Sequence, residues 1–441
     1  MTFQETGTLG VSPPPTVVFR GDIDQGEAAL ATSIDAVALD PWQEPGIPLE
    51  DQYRSWKQRI KAPYDKHEVD AYTRTRVILM NGLENGAWNF AHHFARSTDD
   101  PEIKSLLART RMVEQQQQTT INWLNPADQT VLETTIAYEQ VAIDLTAYFA
   151  RNEPDPYVRE AFNFGLLEDF DHLYRYSELL DYLEGKEADT ILQGRTEIFP
   201  GRPTSEHHND PEVRLLRHYE KNRALPLSKL HTLTLLCGEQ QTYNYYKEHG
   251  PEYGNRRARE LYGEIGEVEE EHVSFYESLL DPTETLLQRQ VQHQLMEVYN
   301  YQHCYAHETD PRIRLIWDEF LHMELEHLQL WGRMLAKYEG IEPEALFGDQ
   351  LTVEFRFEEN KGYIRKVLKQ QTDLRQLDGQ WVPKEDLPGD WPSHRYKQLV
   401  NADGIPSEEI VDLQASRQDP PERPGDELLA RARDVALRIR A

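Results

Sequence analysis

Apolar residues recur every three to four positions along most of the chain from residue 51 to residue 338. This period is typical of amphipathic helices. Short turns that carry Pro or Gly interrupt it, and several contain Asp-Pro, a pair that favours a helix start because Asp caps the first turn and Pro fits it. The pattern predicts eight main helices, at about 70–97, 101–124, 128–151, 156–184, 225–248, 255–280, 283–308 and 311–338.

The longest interruption, at residues 185–223, divides the helical part of the chain in two. Short connections make sequence neighbours antiparallel. We therefore predict an all-α fold of two tandem four-helix bundles, bundle 1 at 51–184 and bundle 2 at 224–339, joined by the 185–223 linker. His207 and His208 lie in this linker and are interpreted as part of a solvated loop.

The two ends of the chain lack the long helical pattern. Residues 1–50 contain three consecutive prolines and little periodicity, which predicts an extended N-terminal arm. Residues 340–441 predict a mixed, partly irregular C-terminal tail. In this tail we expect a strand at 351–357, a helix near 361–376 and a terminal helix at 427–440.

An internal repeat places acids at matching depths in the predicted helical hairpins. In three hairpins an acid stands thirteen residues after the turn proline, and three residues later stands Gln117, His172 or His327. The remaining hairpin keeps the same order with different loop lengths and ends on His272. The helix before each turn carries one more acid. The acids of the four hairpins are, in order, Glu84 and Glu114, Glu139 and Asp169, Glu239 and Glu269, and Glu297 and Glu324.

The acids and imidazoles of bundle 2 form a set that suits metal binding. Positions i and i+3 share one helix face, so each Glu-x-x-His pair presents a carboxylate beside an imidazole. Four buried carboxylates would repel each other strongly, and two divalent cations would cancel that charge. A Glu from each of two helices plus Glu-x-x-His from each of two others is typical of di-iron and di-manganese carboxylate sites. The predicted ligands are Glu239, Glu269, His272, Glu297, Glu324 and His327.

Bundle 1 carries an incomplete version of the same set, because Gln117 stands where a second imidazole is expected. Gln is a poor transition-metal ligand beside imidazole or carboxylate. Glu168 could substitute for Asp169, since Glu168 and His172, at positions i and i+4, also share a helix face. The alternative is a decayed site that now supports dimerisation or packing. The candidates for this weaker second metal site are Glu84, Glu114, Glu139, Asp169 and His172.

Several residues near these positions have two interpretations. Tyr243 lies one turn after Glu239, and His293 one turn before Glu297, so either could hydrogen-bond a ligand and orient it; the alternatives are a packed tyrosine and an interfacial histidine. Single Glu-x-x-His pairs arise by chance in a chain rich in Glu, and we interpret Glu319/His322 as a surface pair. Because such pairs can arise by chance, the alternative for all the predicted ligands is that they lie on solvated helix faces.

Composition narrows the possible partners. The chain of 441 residues has 47 Lys and Arg against 77 Asp and Glu, a formal charge of −30. This charge argues against nucleic acid and against an anionic membrane surface. No apolar run is long enough to span a membrane, and the first residues do not form a signal-peptide pattern, so we expect a cytoplasmic protein. With only Cys237 and Cys304, neither a disulfide scaffold nor a four-cysteine metal site is possible within this chain.

The motifs of the second half resemble those of the ferritin-like superfamily, especially its rubrerythrin-type members. The similarity rests on Val268-Glu-Glu-Glu-His272-Val-Ser-Phe-Tyr and on the hairpin from Glu297 through Asp310-Pro311 to Glu324-Leu-Glu-His327. The resemblance implies that Glu269 and Glu324 bridge two metals, with Glu239, Glu297, His272 and His327 as terminal ligands. It also implies O2 or peroxide chemistry at a di-iron centre, or dismutation at a di-manganese one.

The chain also departs from that family. Rubrerythrins of the usual build carry a four-cysteine rubredoxin module, and this chain has none, so electrons would come from an external donor or from the substrate. We expect a dimeric oxidoreductase with two Fe ions in bundle 2, Mn being the alternative, and with O2 or H2O2 as co-substrate. The other hypotheses are metal or iron handling without an organic substrate, manganese-catalase-like peroxide dismutation, and a purely structural scaffold.

Overall fold

Long helices separated by short turns dominate the computed structural model, which describes residues 39–348 and 355–416. The expected all-α class is confirmed, with one two-stranded sheet as the exception among the described residues. The helices are α1 Trp56–Arg59, α2 Ala71–Ser97, α3 Pro101–Asn122, α4 Val131–Asn152, α5 Pro156–Glu184, α6 Asp189–Leu192, α7 Pro226–His249, α8 Arg256–Ser278, α9 Leu286–His307, α10 Pro311–Glu339, α11 Pro343–Phe347, α12 Lys361–Gln371, α13 Pro392–Val400 and α14 Pro406–Ala415.

The eight main helices predicted from periodicity correspond to α2–α5 and α7–α10. The Asp-Pro turns act as expected. The carboxylates of Asp100, Asp155 and Asp310 each accept hydrogen bonds from backbone N–H groups of the first turn, and a proline occupies the first helical position. Thr130 and Thr285 begin α4 and α9 with reciprocal side-chain and backbone bonds to the residue three positions later. Local chemistry therefore sets the helix boundaries.

The hairpins combine in an order that differs from the tandem prediction. Sequence neighbours pack as hairpins α2–α3, α4–α5, α7–α8 and α9–α10. The middle two hairpins close into one ring of four packed helices, because α4 contacts α7 and α5 contacts α8. The first and last hairpins close into another, through α2 with α9 and α3 with α10. We call these the inner group (α4, α5, α7, α8) and the outer group (α2, α3, α9, α10).

The division into bundle 1 at 51–184 and bundle 2 at 224–339 is therefore not what the structure shows, since each group takes one hairpin from each half. All described residues belong to one compact unit. Hydrophobic periodicity identifies which face of a helix is buried, but it does not say which other helix covers that face. Four hairpins with nearly the same pattern can be paired in more than one way, and the pattern alone does not choose.

Two glycines allow α2 and α7 to meet closely where the groups join. A Cβ at Gly86 would overlap the Cys237 Sγ, and a Cβ at Gly82 would lie 2.7 Å from the Gln241 Nε2. Both cysteines are buried and unbridged. Because α2 belongs to the outer group and α7 to the inner group, this contact fixes the spacing of the two groups.

The linker and the tail pack against the inner group. Arg202 is fully buried and donates to the backbone carbonyls of Gln371 and Thr372. The interpretation of His207 and His208 as a solvated loop is wrong, because both are more than nine-tenths buried. In the tail, α12 ends at Gln371, and an antiparallel hairpin of β1 Leu374–Leu377 and β2 Gln380–Pro383 follows.

Several predictions on the ends of the chain fall on residues that the structure does not describe. The N-terminal arm is described only from residue 39, and the terminal helix expected at 427–440 lies outside the described residues. Of the strand expected at 351–357, the structure describes residues 355–357, and these do not form a strand. None of the described helices is long and apolar enough to cross a membrane.

Candidate metal centre

Six side chains of metal-ligand type meet inside the inner group. We call them the inner centre: Glu139, Asp169, His172, Glu239, Glu269 and His272. All are buried, with no more than 3% of any residue exposed. One ligand atom from each of Asp169, Glu239, Glu269 and His272 lies within 4.8 Å of the others. Glu269 also forms a second such group with Glu139 and His172. The inner centre thus contains two groups of close ligand atoms, and the Glu269 carboxylate belongs to both.

The Nδ1 atoms of both imidazoles face carboxylates. His172 Nδ1 lies 2.9 Å from Glu269 Oε1. His272 Nδ1 lies 3.3 Å from Asp169 Oδ1, 3.4 Å from Glu269 Oε2 and 3.6 Å from Glu239 Oε2. His272 Nδ1 is therefore surrounded by three carboxylates, an arrangement that suits a cation placed among them.

Many oxygens of the inner centre lack hydrogen-bond partners among the described residues. Both Asp169 oxygens and the Oε2 atoms of Glu139, Glu239 and Glu269 are buried without one. Buried polar atoms in folded proteins almost always have a partner, because leaving one unpaired costs roughly 1–3 kcal/mol. So many unpaired oxygens in one place favour a bound cation.

Burial and mutual repulsion leave these carboxyl groups electrostatically strained. Burial, with the neighbouring Glu269 charge, raises the pKa of Glu139 well above its usual value. Burial and the Glu239 charge do the same to the pKa of Asp169. Burial opposes ionisation of Glu269 too, but the neighbouring imidazoles of His172 and His272 hold the pKa of that carboxyl at about 2. Cations would relieve the repulsion.

A buried ion-pair cluster supports His272 from behind. His272 Nε2 lies 2.5 Å from Glu168 Oε2. The other oxygen of Glu168 accepts from Arg202 Nη1 at 3.1 Å and lies 2.6 Å from His207 Nδ1. A carboxylate on the outer nitrogen fixes the orientation and tautomer of a ligating imidazole. Glu168 therefore positions His272, and Asp169, not Glu168, faces the inner centre.

Tyr243 and His293, suggested from the sequence as hydrogen-bonding neighbours of the ligands, make other contacts. Tyr243 is half-buried with Lys247 Nζ 5.6 Å from its ring centre, and His293 stacks on Phe90 with ring centroids 4.6 Å apart. Among the described residues neither bonds to a candidate ligand. Tyr246 takes that part, because its hydroxyl donates to Glu139 Oε1. It lies seven residues after Glu239, so helix spacing alone could have placed it on the same face.

A second cluster, the outer centre, lies inside the outer group. It consists of four acids and one imidazole, all buried: Glu84, Glu114, Glu297, Glu324 and His327. One atom from each of Glu114, Glu324 and His327 lies within 4.8 Å of the others. His327 Nδ1 is 3.0 Å from Glu324 Oε2. The Tyr301 hydroxyl donates to Glu84 Oε1, as Tyr246 does to Glu139.

The predicted ligand set is thus divided between two places. Among the described residues, no group of close ligand atoms mixes the two centres. The bundle 2 set separates, with Glu239, Glu269 and His272 in the inner centre and Glu297, Glu324 and His327 in the outer one. The weaker set separates as well, with Glu139, Asp169 and His172 in the inner centre and Glu84 and Glu114 in the outer one. Glu114, Asp169 and Glu324, the acids thirteen residues after a turn proline, are all buried in a centre, whereas the hairpins do not pair as the tandem prediction expects.

An apolar crevice between α2, α4 and α7 has Glu239 in its wall. Leu79, Val141, Leu235 and Gly238 also line it. Its free volume is about 10 Å³, which is on the order of the space that one water molecule needs. The crevice therefore offers room beside the inner centre for a very small molecule.

Comparison with known proteins does not assign a family. The inner centre brings together four carboxylates and two imidazoles, and the outer centre four carboxylates and one imidazole. The two centres are therefore described by the residue types that they contain. No protein-family model, no curated protein and no solved structure matches this chain.

Proposed function

We propose that the inner centre holds two divalent metal ions and that the protein is a di-metal carboxylate oxidoreductase, with iron as the metal and manganese as the alternative. The observation that carries this proposal is the double membership of Glu269. It lies with Asp169, Glu239 and His272 in one group of close ligand atoms and with Glu139 and His172 in the other. If two cations bind, a carboxylate shared in this way would be available to both.

The charge and the donor types support the same proposal. Four carboxylates are buried together, and two divalent cations would cancel their charge. A mixture of carboxylate and imidazole ligands suits iron and manganese, whereas magnesium and calcium prefer oxygen alone. The unpaired oxygens on Asp169, Glu139 and Glu239 provide the lone pairs that the cations would need.

Such a metal pair, when bound, supplies the electrons and the Lewis acidity with which O2 or peroxide is bound and reduced. The chain's own residues would hold the pair in place. Glu168 orients His272, and Tyr246 fixes Glu139 by a hydrogen bond. No four-cysteine site can form from two cysteines, so an external donor or the substrate would supply electrons.

The crevice at Glu239 favours a small oxidant over a bulky organic substrate. Its volume of about 10 Å³ is on the order of one water molecule, and its walls are largely apolar. O2 and H2O2, with two heavy atoms each, are only slightly larger than a water molecule. The crevice is equally suited to peroxide dismutation in a manganese form and to oxidation of Fe(II) during metal handling, and these remain the second candidates.

The metal content of two matched variants tests the proposal. The full chain is loaded anaerobically with Fe(II), freed of excess metal and analysed for iron per chain. We expect Glu269→Gln to lose about two equivalents, because both positions depend on this carboxylate. Glu267→Gln changes an exposed Glu of the same helix and should keep them all.

Retention of the wild-type iron content by Glu269→Gln, with native helix content by circular dichroism, would refute the di-metal proposal. If iron is bound, admission of O2 should oxidise it and produce new absorption bands. O2 release from added peroxide by the manganese-loaded chain would favour dismutation, and uptake of many iron atoms per chain would favour metal handling.

A further inference from the structure

The outer centre repeats the geometry of the inner centre with one imidazole fewer. Gln117 stands three residues after Glu114, where His172 stands after Asp169 and His272 after Glu269. Its amide Nε2 donates to Glu324 Oε1 at 2.8 Å. Of the two positions where the repeat expects an imidazole in the outer centre, one therefore carries Gln117 and the other carries His327.

We propose that the outer centre is a separate site for a single divalent cation, held by Glu114, Glu324 and His327, and that side-chain amides occupy the place of a second cation. The ligands come from α3 and α10, and each is fully buried. Two carboxylates and one imidazole provide three ligand atoms, a set that suits a transition-metal ion such as Mn(II), Fe(II), Co(II) or Zn(II).

The orientation of His327 supports this site. Its Nε2 lies 2.7 Å from the Gln52 Oε1, which can only accept, so Nε2 carries the proton. In the neutral imidazole, Nδ1 then keeps its lone pair and faces the carboxylates, 3.0 Å from Glu324 Oε2. Gln52 thus acts on His327 as Glu168 acts on His272, and both imidazoles present Nδ1 to their centres.

Unpaired buried oxygens point to a ligand at the same place. Glu114 Oε2 and Glu297 Oε1 are buried without a hydrogen-bond partner among the described residues. Glu114 is one of the three proposed ligands, whereas Glu297 lies outside their group of close ligand atoms. Of the three proposed ligands, Glu114 therefore offers an oxygen that no described side chain satisfies.

The other oxygens of these carboxylates are already satisfied by amides. Gln294 Nε2 donates to Glu297 Oε2 at 2.6 Å and to Glu114 Oε1 at 3.2 Å. Gln294 and Gln117 together bring two amide groups, with three N–H···O bonds, to three carboxylates. Amide donors offset part of the negative charge, and a Gln is a weak ligand for a transition metal. One cation is therefore expected where the inner centre would take two.

The outer site can be tested independently of the proposed function, because the two centres share no ligand. The full chain, first freed of metal by chelator, is titrated with Co(II), and bound cobalt is measured by equilibrium dialysis and by its visible absorption. We expect His327→Ala to bind about one equivalent less than the wild type. His322→Ala, a half-exposed His of the same helix, should bind as much as the wild type.

Unchanged cobalt binding in His327→Ala would overturn the outer site. If loss occurs only in His272→Ala, the proposed function stands and this inference fails; loss only in His327→Ala gives the reverse. Glu114→Gln, which keeps side-chain shape, serves as the second loss variant if His327→Ala does not fold.

A gain-of-binding variant tests the role of the amide. Gln117→His restores the missing imidazole at a position of similar volume, and we expect it to bind one Co(II) more than the wild type. The added ion should have the absorption of cobalt with nitrogen and oxygen ligands. A Gln117→His chain that binds no more cobalt than the wild type would contradict the assignment of Gln117 to the second position.

Discussion

His172 on α5 and Glu269 on α8 are 97 positions apart in the chain, yet His172 Nδ1 and Glu269 Oε1 lie 2.9 Å apart. This contact crosses from the first half of the chain to the second. The Gln117–Glu324 bond crosses in the same way in the outer centre. Each centre is therefore built by both halves, and neither half contains a complete ligand set.

The buried partner of His272 should control metal affinity. Glu168→Gln keeps the side-chain shape but removes the charge that orients the imidazole, and we expect metal affinity at the inner centre to fall roughly 10–100-fold. A chelator competition with Co(II) measures this Kd. Glu267→Gln on α8 serves as the control. An unchanged Kd in Glu168→Gln would mean that this carboxylate does not position the imidazole.

Covering the crevice should slow the oxidant without removing the metal. Gly238 lines the crevice, and a Cβ there meets no atom within 4 Å, so Gly238→Leu fits without a clash and places a side chain over the opening. We expect the rate of metal oxidation by O2 to fall on the order of tenfold, a change of about 1.4 kcal/mol in the barrier, at unchanged metal content. Gly263→Leu on α8 also adds a side chain in open space and should leave the rate unaltered. Equal rates in the two variants would show that oxidant does not pass Gly238.

The close contact of α2 with α7 should be sensitive to a single methyl group. Gly86→Ala forces a Cβ into the Cys237 Sγ, and overpacking of this kind costs about 1–3 kcal/mol of unfolding free energy. Urea denaturation measures the loss. Cys237→Ala removes the sulfur and should restore part of the stability in the double variant. Equal destabilisation by Gly86→Ala in both backgrounds would indicate another cause.

One buried acid away from both centres should make stability depend on pH. Burial raises the pKa of Asp144 from 3.8 to about 8. The folded chain thus keeps this proton to higher pH than the unfolded chain does, so stability is lost as pH rises between those two values. Asp144→Asn cannot ionise and can still accept the hydrogen bond that Thr196 gives Asp144.

We therefore expect the stability advantage of Asp144→Asn over the wild type to grow from pH 4 to pH 8 in denaturation experiments. Asp99→Asn, at an exposed turn, should show no such trend. A difference between Asp144→Asn and the wild type that does not change with pH would contradict the raised pKa.

Local rules made the helices and the depth of the ligands predictable. Asp-Pro turns fixed the starts of α3, α5 and α10, and the spacing from those turns placed Glu114, Asp169 and Glu324 at one level. Each of these residues is buried in a centre, as the repeat predicts. Capping and helix period act over a few residues, so they can be recognised in the sequence.

The pairing of hairpins and the supporting residues could not be predicted in this way. Four hairpins with similar apolar faces allow tandem or nested pairing, and the choice depends on contacts such as Gly86 with Cys237 across groups. Arg202, His207 and Gln52 come from segments without helical pattern, yet they reach Glu168 and His327. Only long-range packing brings them there.

The location of metal in the folded chain tests the central claim most directly. Crystals of the full chain loaded with Mn(II) would be measured above and below the manganese absorption edge. We predict two anomalous peaks in the inner centre, one on each side of the Glu269 carboxylate, ligated by His272 on one side and His172 on the other. Well-ordered inner-centre side chains with no anomalous peak between them at saturating Mn(II) would contradict the account.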